Sequence, residues 1–130
     1  MRISPAQLAK IAPRMEQARN IWLASVRADG RPHLVPIWFV WHQSKVWICT
    51  GNGSQKHVNI RRNPRVSVAL EDGSDPVVIE GTATIHEDAA TRDALAPVFQ
   101  AKYDWDFRTD GEYGTALIDI TPTKLLLGGE

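Results

Sequence analysis

A long apolar run over residues 33–42 constrains the fold more than any other segment. It carries Val35, Ile37, Trp38, Phe39, Val40 and Trp41. A run without polar alternation predicts a strand that is covered on both faces, which is typical of a barrel. Pro36 lies inside the run and cannot donate a hydrogen bond to a neighbouring strand. The proline therefore predicts a bulge, a sheet edge, or a place where another group meets the backbone.

Turn residues divide the remainder of the chain into short strands and a few helices. Further strands are predicted over residues 21–27, 45–50, 65–71, 77–85, 115–121 and 123–127, the last two separated by Pro122. A capping box at Ser4 predicts a helix that is kinked or split in two at Pro13. Two more helices are predicted over residues 55–62 and 88–103. No parallel βαβ repetition occurs, so we expect a mainly β fold, a closed or nearly closed antiparallel barrel with peripheral helices.

Composition bounds the class of protein. The length of 130 residues predicts one domain over residues 1–130, with an N-terminal helical segment over residues 1–19. Fifteen basic and fifteen acidic residues give a net charge of zero, which argues against nucleic acid or an anionic membrane as partner. The single Cys49 excludes an internal disulfide, and the four histidines lack metal-ligand spacing. Without a signal peptide or an apolar stretch of about 18 residues, we expect a cytoplasmic protein.

The segment from Thr50 to Lys56 is the most informative for chemistry. A strand ends there, glycines free the backbone, and Ser54 is a plausible N-cap for the following helix. The first backbone N–H groups of a helix lack internal partners and carry partial positive charge. A lysine in the first turn opposes that dipole unless an anion lies between them. The pattern predicts a phosphate site, and a solvated helix start is an equally good interpretation of these residues alone.

Tryptophans are concentrated near the apolar run, four of the five between Trp22 and Trp47. They are compatible with a flat slot for an aromatic ring. A tryptophan-rich core or subunit interface is the commoner arrangement. An oligonucleotide-binding barrel would need exposed aromatic side chains beside basic residues, whereas Trp38 and Trp41 lie in an unbroken apolar run.

Several segments together resemble a known family. They are residues 23–33, 35–41, 54–67, 78–83 and 120–124, and their order and spacing span most of the chain. The chain resembles the FMN-binding split-barrel proteins related to pyridoxamine 5′-phosphate oxidase, and among them the small flavin- or deazaflavin-dependent oxidoreductases. The RxxLLK-type motif of true pyridoxamine phosphate oxidases is absent, so that reaction is not assigned.

The resemblance implies an antiparallel split barrel of Greek-key type and a homodimer with two cofactor sites at its interface. It implies that Pro36, Ile37 and Trp38 lie against a tricyclic ring, and that Thr50, Ser54, Lys56 and Asn59 surround the ribityl chain and phosphate. Arginine often occupies the family position of Gln55, so this chain has one positive charge fewer there. The region around Trp105 tends, in such proteins, to reach the partner's site.

The resulting hypothesis is an oxidoreductase that transfers hydride between FMN, or the deazaflavin coenzyme F-420, and a small organic substrate. No catalytic side chain is identified, because in this chemistry the cofactor supplies the reactive atom. The alternative is a split barrel that carries flavin or haem without turnover.

Overall fold

The computed structural model describes residues 3–127. The predicted N-terminal segment over residues 1–19 and the predicted domain end at residue 130 extend beyond this range. Its elements in chain order are α1 (Pro5–Gln17), β1 (Asn20–Val26), β2 (Pro32–Trp38), β3 (Val40–His42), β4 (Lys45–Thr50), α2 (Gln55–Arg62), β5 (Arg65–Ala69), β6 (Val77–His86), α3 (Ala89–Tyr103) and β7 (Ala116–Leu127), with a 3₁₀ turn at Phe107–Thr109 before β7. No helix of the described part is long and apolar enough to cross a membrane.

The strands form one antiparallel sheet in the order β2-β1-β5-β6-β7-β4-β3. Its two edge strands, β2 and β3, follow each other along the chain and are separated only by Phe39. The backbone therefore passes from one edge of the sheet to the other at a single residue, so the two edges meet there. The sheet is a barrel that is joined at Phe39 and split between the remaining parts of its edges, which confirms the predicted mainly β architecture.

The predicted strand over residues 33–42 is wrong in two respects. It is two strands, and side chains of β2 alternate between exposed and half-buried positions, so β2 is not covered on both faces. The break has a long-range cause. The Tyr103 hydroxyl accepts a hydrogen bond from the Phe39 N–H at 3.0 Å and lies 2.7 Å from the Phe39 carbonyl oxygen, so α3 occupies the backbone groups that a continuous ladder would use. Pro36 lies on an edge strand, one of the three predicted settings.

Two other prolines do not interrupt their helix or strand as the sequence predicts. The capping box at Ser4 is present, but α1 continues through Pro13 as one helix and is not split in two. Pro122 does not separate two strands, because β7 runs unbroken from Ala116 to Leu127. Pro122 pairs with Gly81 beside a shift in strand register between Glu80 and Gly81, so a β-bulge lies next to the proline.

Apolar packing lies on two sides of the sheet. The larger cluster fills the barrel and includes Ile21, Ile48, Ile79 and Ile120, all at most 1% exposed. A second cluster joins α3 to the outer side of β3, β4 and β7. Its centre is Phe99, which is fully buried. This second cluster fixes α3 and the loop after it beside the start of α2, where the candidate site lies.

Candidate functional site

A cavity of about 440 Å³ opens where β2, β4, α2 and the loop after α3 meet. Its lining residues are Pro36, Ile37, Trp38, Cys49, Thr50, Lys56, Trp105, Asp110 and Tyr113. Six of the nine predicted site residues are among them. Residues that are far apart in the sequence therefore share one cavity.

Trp38 forms a fixed aromatic surface in this cavity. Its side chain is 42% exposed, yet its ring stacks on Tyr103 with 4.4 Å between centroids and 7° between planes. The Arg19 guanidinium lies 5.8 Å from the Trp38 ring centroid. Because the Tyr103 hydroxyl is itself bonded to the Phe39 backbone, the stack ties the indole to the point where the two sheet edges meet.

The start of α2 is built as its sequence predicts. The Ser54 hydroxyl accepts a hydrogen bond from the His57 N–H at 3.3 Å and lies 3.0 Å from the Thr50 hydroxyl. Gly53, with φ of +81°, supplies the left-handed conformation that the turn into the helix requires. Two hydroxyl groups and the N-terminal end of a helix consequently converge beside the cavity, an arrangement that favours an anion.

Lys56 is the cation of this cavity. It is half-buried, and no carboxylate of the described residues lies within 4 Å of its ammonium group. Burial lowers the pKa of Lys56 because the charged form loses hydration. A desolvated cation that lacks a protein counterion is suited to an anionic ligand.

Two predicted residues face another direction. The Gln55 side-chain amide donates to Asn59 Oδ1 at 2.7 Å, and the Asn59 amide donates to the Ser25 hydroxyl at 3.0 Å. Asn59 is 1% exposed. The first bond lies within α2 and the second attaches α2 to β1. Gln55 and Asn59 therefore support the helix and do not line the cavity, whereas Ser54 contacts the lining residue Thr50.

Sequence reasoning missed three lining residues, Cys49, Asp110 and Tyr113. Burial raises the pKa of the Cys49 thiol to about 12, so the cavity holds a thiol and not a thiolate. Asp110 begins a turn in which its carboxylate accepts from the Glu112 and Tyr113 N–H groups at 2.9 and 2.8 Å. An aspartate followed by glycine is a turn signal that the sequence does show, but its place beside the cavity depends on the packing of α3.

A second groove, of about 500 Å³, lies on the sheet across β1, β5 and β6. It is lined by Ser67, Glu80, Thr82, Thr123 and Arg65, together with Ala24, Ser25, Val26, Pro32, Val66 and Gly81. It has no aromatic side chain, and its lining includes the carboxylate of Glu80 as well as the cation Arg65. The cavity at Trp38 is the better candidate site, because it combines an apolar aromatic wall with a lysine and a helix start.

The family model for pyridoxamine 5′-phosphate oxidase matches residues 8–127, nearly the whole described chain. The chain belongs to the pyridoxamine 5′-phosphate oxidase family. The resemblance inferred from the sequence segments is thereby confirmed, as is the split-barrel fold. No curated protein sequence matches the chain.

Several solved structures share the fold of this chain. A conserved hypothetical protein of Mycobacterium tuberculosis, Rv2991, is 29% identical with a TM-score of 0.74, over 95% of this chain and 82% of that one. An F420 reductase is 23% identical with a TM-score of 0.70, over 86% and 92% of the two chains. A FAD-binding protein of Mesorhizobium loti is 22% identical with a TM-score of 0.69, over 95% and 92%. The F420 reductase and the FAD-binding protein share the fold with this chain.

Proposed function

We propose that this family member is an oxidoreductase that binds a flavin-type cofactor, FMN or the deazaflavin F-420, and transfers hydride to or from a small organic substrate. The observation that carries the proposal is the meeting of an aromatic wall and an uncompensated lysine in one cavity of about 440 Å³. A flavin phosphate has the matching chemistry, since it joins a flat apolar ring to an anion.

The ring end of the cavity is the wall formed by Pro36, Ile37 and Trp38. Trp38 is held by its stack on Tyr103, so it offers an aromatic surface without losing side-chain freedom on binding. Pro36 lies on an edge strand, where outward backbone groups are free of a partner strand and accessible to the polar edge of a ring.

The anion end is formed by Lys56, Thr50 and Ser54. The ammonium group supplies charge, the two hydroxyl groups supply hydrogen bonds, and the start of α2 adds its partial positive charge. The neutral Gln55 is occupied with Asn59, so the positive charge on this side comes from Lys56. Bound there, the cofactor would supply hydride chemistry, while the chain supplies orientation, exclusion of water and phosphate binding.

A homodimer with the cofactor site at its interface is the second part of the proposal. Strand registers align an apolar row across the outer face of the sheet, from Pro36 through Trp22, Ala69 and Val78 to Leu126. Leu34, 60% exposed, lies on the same face. An apolar row of this length is typical of a subunit interface. Because Pro36 belongs both to the row and to the cavity, a partner bound to this face would lie beside the cofactor.

The absorption spectrum of the purified protein, followed by titration with FMN and with F-420, tests the proposal. A yellow protein, or submillimolar binding of FMN, identifies a flavin protein. A colourless protein that binds F-420 alone identifies the deazaflavin.

Turnover is then measured with a panel of electron acceptors and donors. Binding without any turnover would favour a carrier and contradict the oxidoreductase. Failure to bind either cofactor would contradict the whole proposal.

A further inference from the structure

The loop between α3 and β7 supplies one wall of the cavity. Trp105 at its beginning and Tyr113 near its end both line the cavity, and Asp110 lies between them in the sequence. The Trp105 ring meets the Trp38 ring edge-on, with 6.1 Å between centroids. The aromatic surroundings of the cavity therefore depend on how this loop holds its two aromatic side chains.

The Asp110 carboxylate is bonded to both ends of that wall. Oδ1 accepts from the backbone N–H groups of Glu112 and Tyr113, at 2.9 and 2.8 Å. Oδ2 accepts from the Trp105 indole Nε1–H at 3.1 Å. The backbone donors, with the Trp105 indole, hold the pKa of Asp110 below its usual value, so the group is a carboxylate at neutral pH and accepts all three bonds.

The backbone of the loop is anchored elsewhere by independent contacts. The Arg92 guanidinium donates to the Gly114 carbonyl at 2.8 Å, and Phe107 is fully buried. Gly114 lies so close to the Phe107 carbonyl oxygen that a Cβ there would be 1.9 Å from it. These contacts hold the loop at Phe107 and Gly114 independently of the Asp110 side chain. The Trp105 ring packs against Phe99 and Phe107, and its Nε1–H donates to the Asp110 carboxylate.

We propose that Asp110 is a positioning residue, which holds the Trp105 indole in the cavity wall and thereby sets the affinity of the site for the flavin ring. This inference rests on the proposed function. It assigns to the loop a role that is separate from phosphate binding at Lys56. Asp110 acts through Trp105, so its effect must disappear when the indole N–H is removed.

The substitution Asp110→Asn isolates this hydrogen bond. The amide oxygen still accepts from the turn, while the amide NH₂ group faces the indole N–H, and two donors cannot bond to each other. Asp106→Asn is the matched control. It makes the same charge change in the same loop, at a side chain that pairs with Arg108 and does not line the cavity.

The experiment is a double-mutant cycle on riboflavin affinity, measured by flavin fluorescence in the unchanged chain, Asp110→Asn, Trp105→Phe and the double variant. We expect Asp110→Asn to weaken riboflavin about tenfold, Asp106→Asn to leave it unchanged, and Asp110→Asn to change it less than about twofold once Trp105 is phenylalanine. Nuclear magnetic resonance of the unliganded protein should show the Trp105 indole N–H signal, absent in Trp105→Phe, shifting in Asp110→Asn.

Equal weakening by Asp110→Asn in both backgrounds would overturn the proposal, because Asp110 would then not act through Trp105. A shifted indole signal with unchanged riboflavin affinity would also overturn it. The cycle is run with F-420, which is also fluorescent, where the unchanged chain binds that cofactor and not riboflavin. If the unchanged chain bound none of riboflavin, FMN and F-420 although its indole signal was in place, the proposed function itself would fail, and the ring-positioning role with it.

Discussion

His57 is a buried histidine whose hydrogen bond depends on its charge. It is 4% exposed, and its Nδ1 accepts from the Gly53 N–H at 3.0 Å, so the bonded ring is neutral at that nitrogen. Burial, assisted by the nearby Arg61, lowers its pKa, and Glu87 opposes this effect. A proton on Nδ1 would face the Gly53 N–H and break the turn that leads into α2.

Protonation of His57 is therefore expected to destabilise the fold. In the unfolded chain the histidine has its ordinary pKa of about 6.5, and in the folded chain the pKa is lower, so the unfolded state binds more protons. The free energy of unfolding should be highest above pH 6.5 and fall as the pH drops through the folded-state pKa. Urea unfolding between pH 5 and 8 measures the slope of the free energy of unfolding against pH. His57→Gln should make it shallower, and an unchanged slope would contradict the role of His57.

Cys49 should be unreactive although it lines the cavity. Burial raises the pKa of its thiol to about 12, and the thiolate is the species that alkylating reagents attack. We expect iodoacetamide at pH 7.5 to modify the folded protein at least about a hundredfold more slowly than the urea-unfolded chain. Mass spectrometry of the two samples gives both rates. Comparable rates would mean that the thiol is far more accessible or acidic than the structure indicates.

Among the elements, the start of α2 contains one residue, Ser54, that is expected to stabilise the helix and another, Lys56, that is expected to bind the ligand. Ser54 caps the helix, so Ser54→Ala should reduce the free energy of unfolding by about 1 kcal/mol. Lys56 stands at the positive end of the helix dipole, so Lys56→Ala should leave the stability of the ligand-free protein unchanged or slightly higher. Urea unfolding of the two variants provides the comparison. A large loss of stability in Lys56→Ala would show that the lysine is a structural residue.

Elements with local signals could be predicted from the sequence. Ser4 and Ser54 cap their helices through bonds to residues three positions away, and the β1–β2 turn depends on Gly30 with φ of +87°. The alternation of Val66 and Val68 fixes the buried face of β5. Each of these features depends on residues within a few positions of one another, so it can be predicted from the local sequence.

The wrong predictions have long-range causes. The break at Phe39 is caused by Tyr103, 64 residues away, and no local sequence pattern indicates it. Pro122 is tolerated in β7 because Gly81 and its bulge lie opposite. In the site, Asp110 and Tyr113 could not be assigned, because α3 must pack before their loop reaches the cavity.

At the scale of the whole molecule, the apolar row on the outer face predicts a dimer. Obligate interfaces bury about 2,000 Å² or more in total. Trp22, 37% exposed, lies on β1, the second of the five strands that the row crosses. Sedimentation at micromolar concentration should show two chains. Trp22→Glu should produce a monomer, whereas Val58→Glu, at an exposed position on α2, should leave the dimer intact. A monomer in the unchanged chain that still binds cofactor would contradict the shared site.

In the proposed complex, one cavity of the whole molecule holds a ring at Trp38 and a phosphate at Lys56. Calorimetric titration of the unchanged chain and Lys56→Ala with FMN and with riboflavin tests it directly, because the two ligands differ only in the phosphate. Lys56→Ala is expected to weaken FMN binding by about 1.5–3 kcal/mol, the range for a hydrogen bond to a charged group, and to leave riboflavin binding unchanged. Equal weakening of both ligands, or of neither, would contradict the assignment of Lys56 to the phosphate.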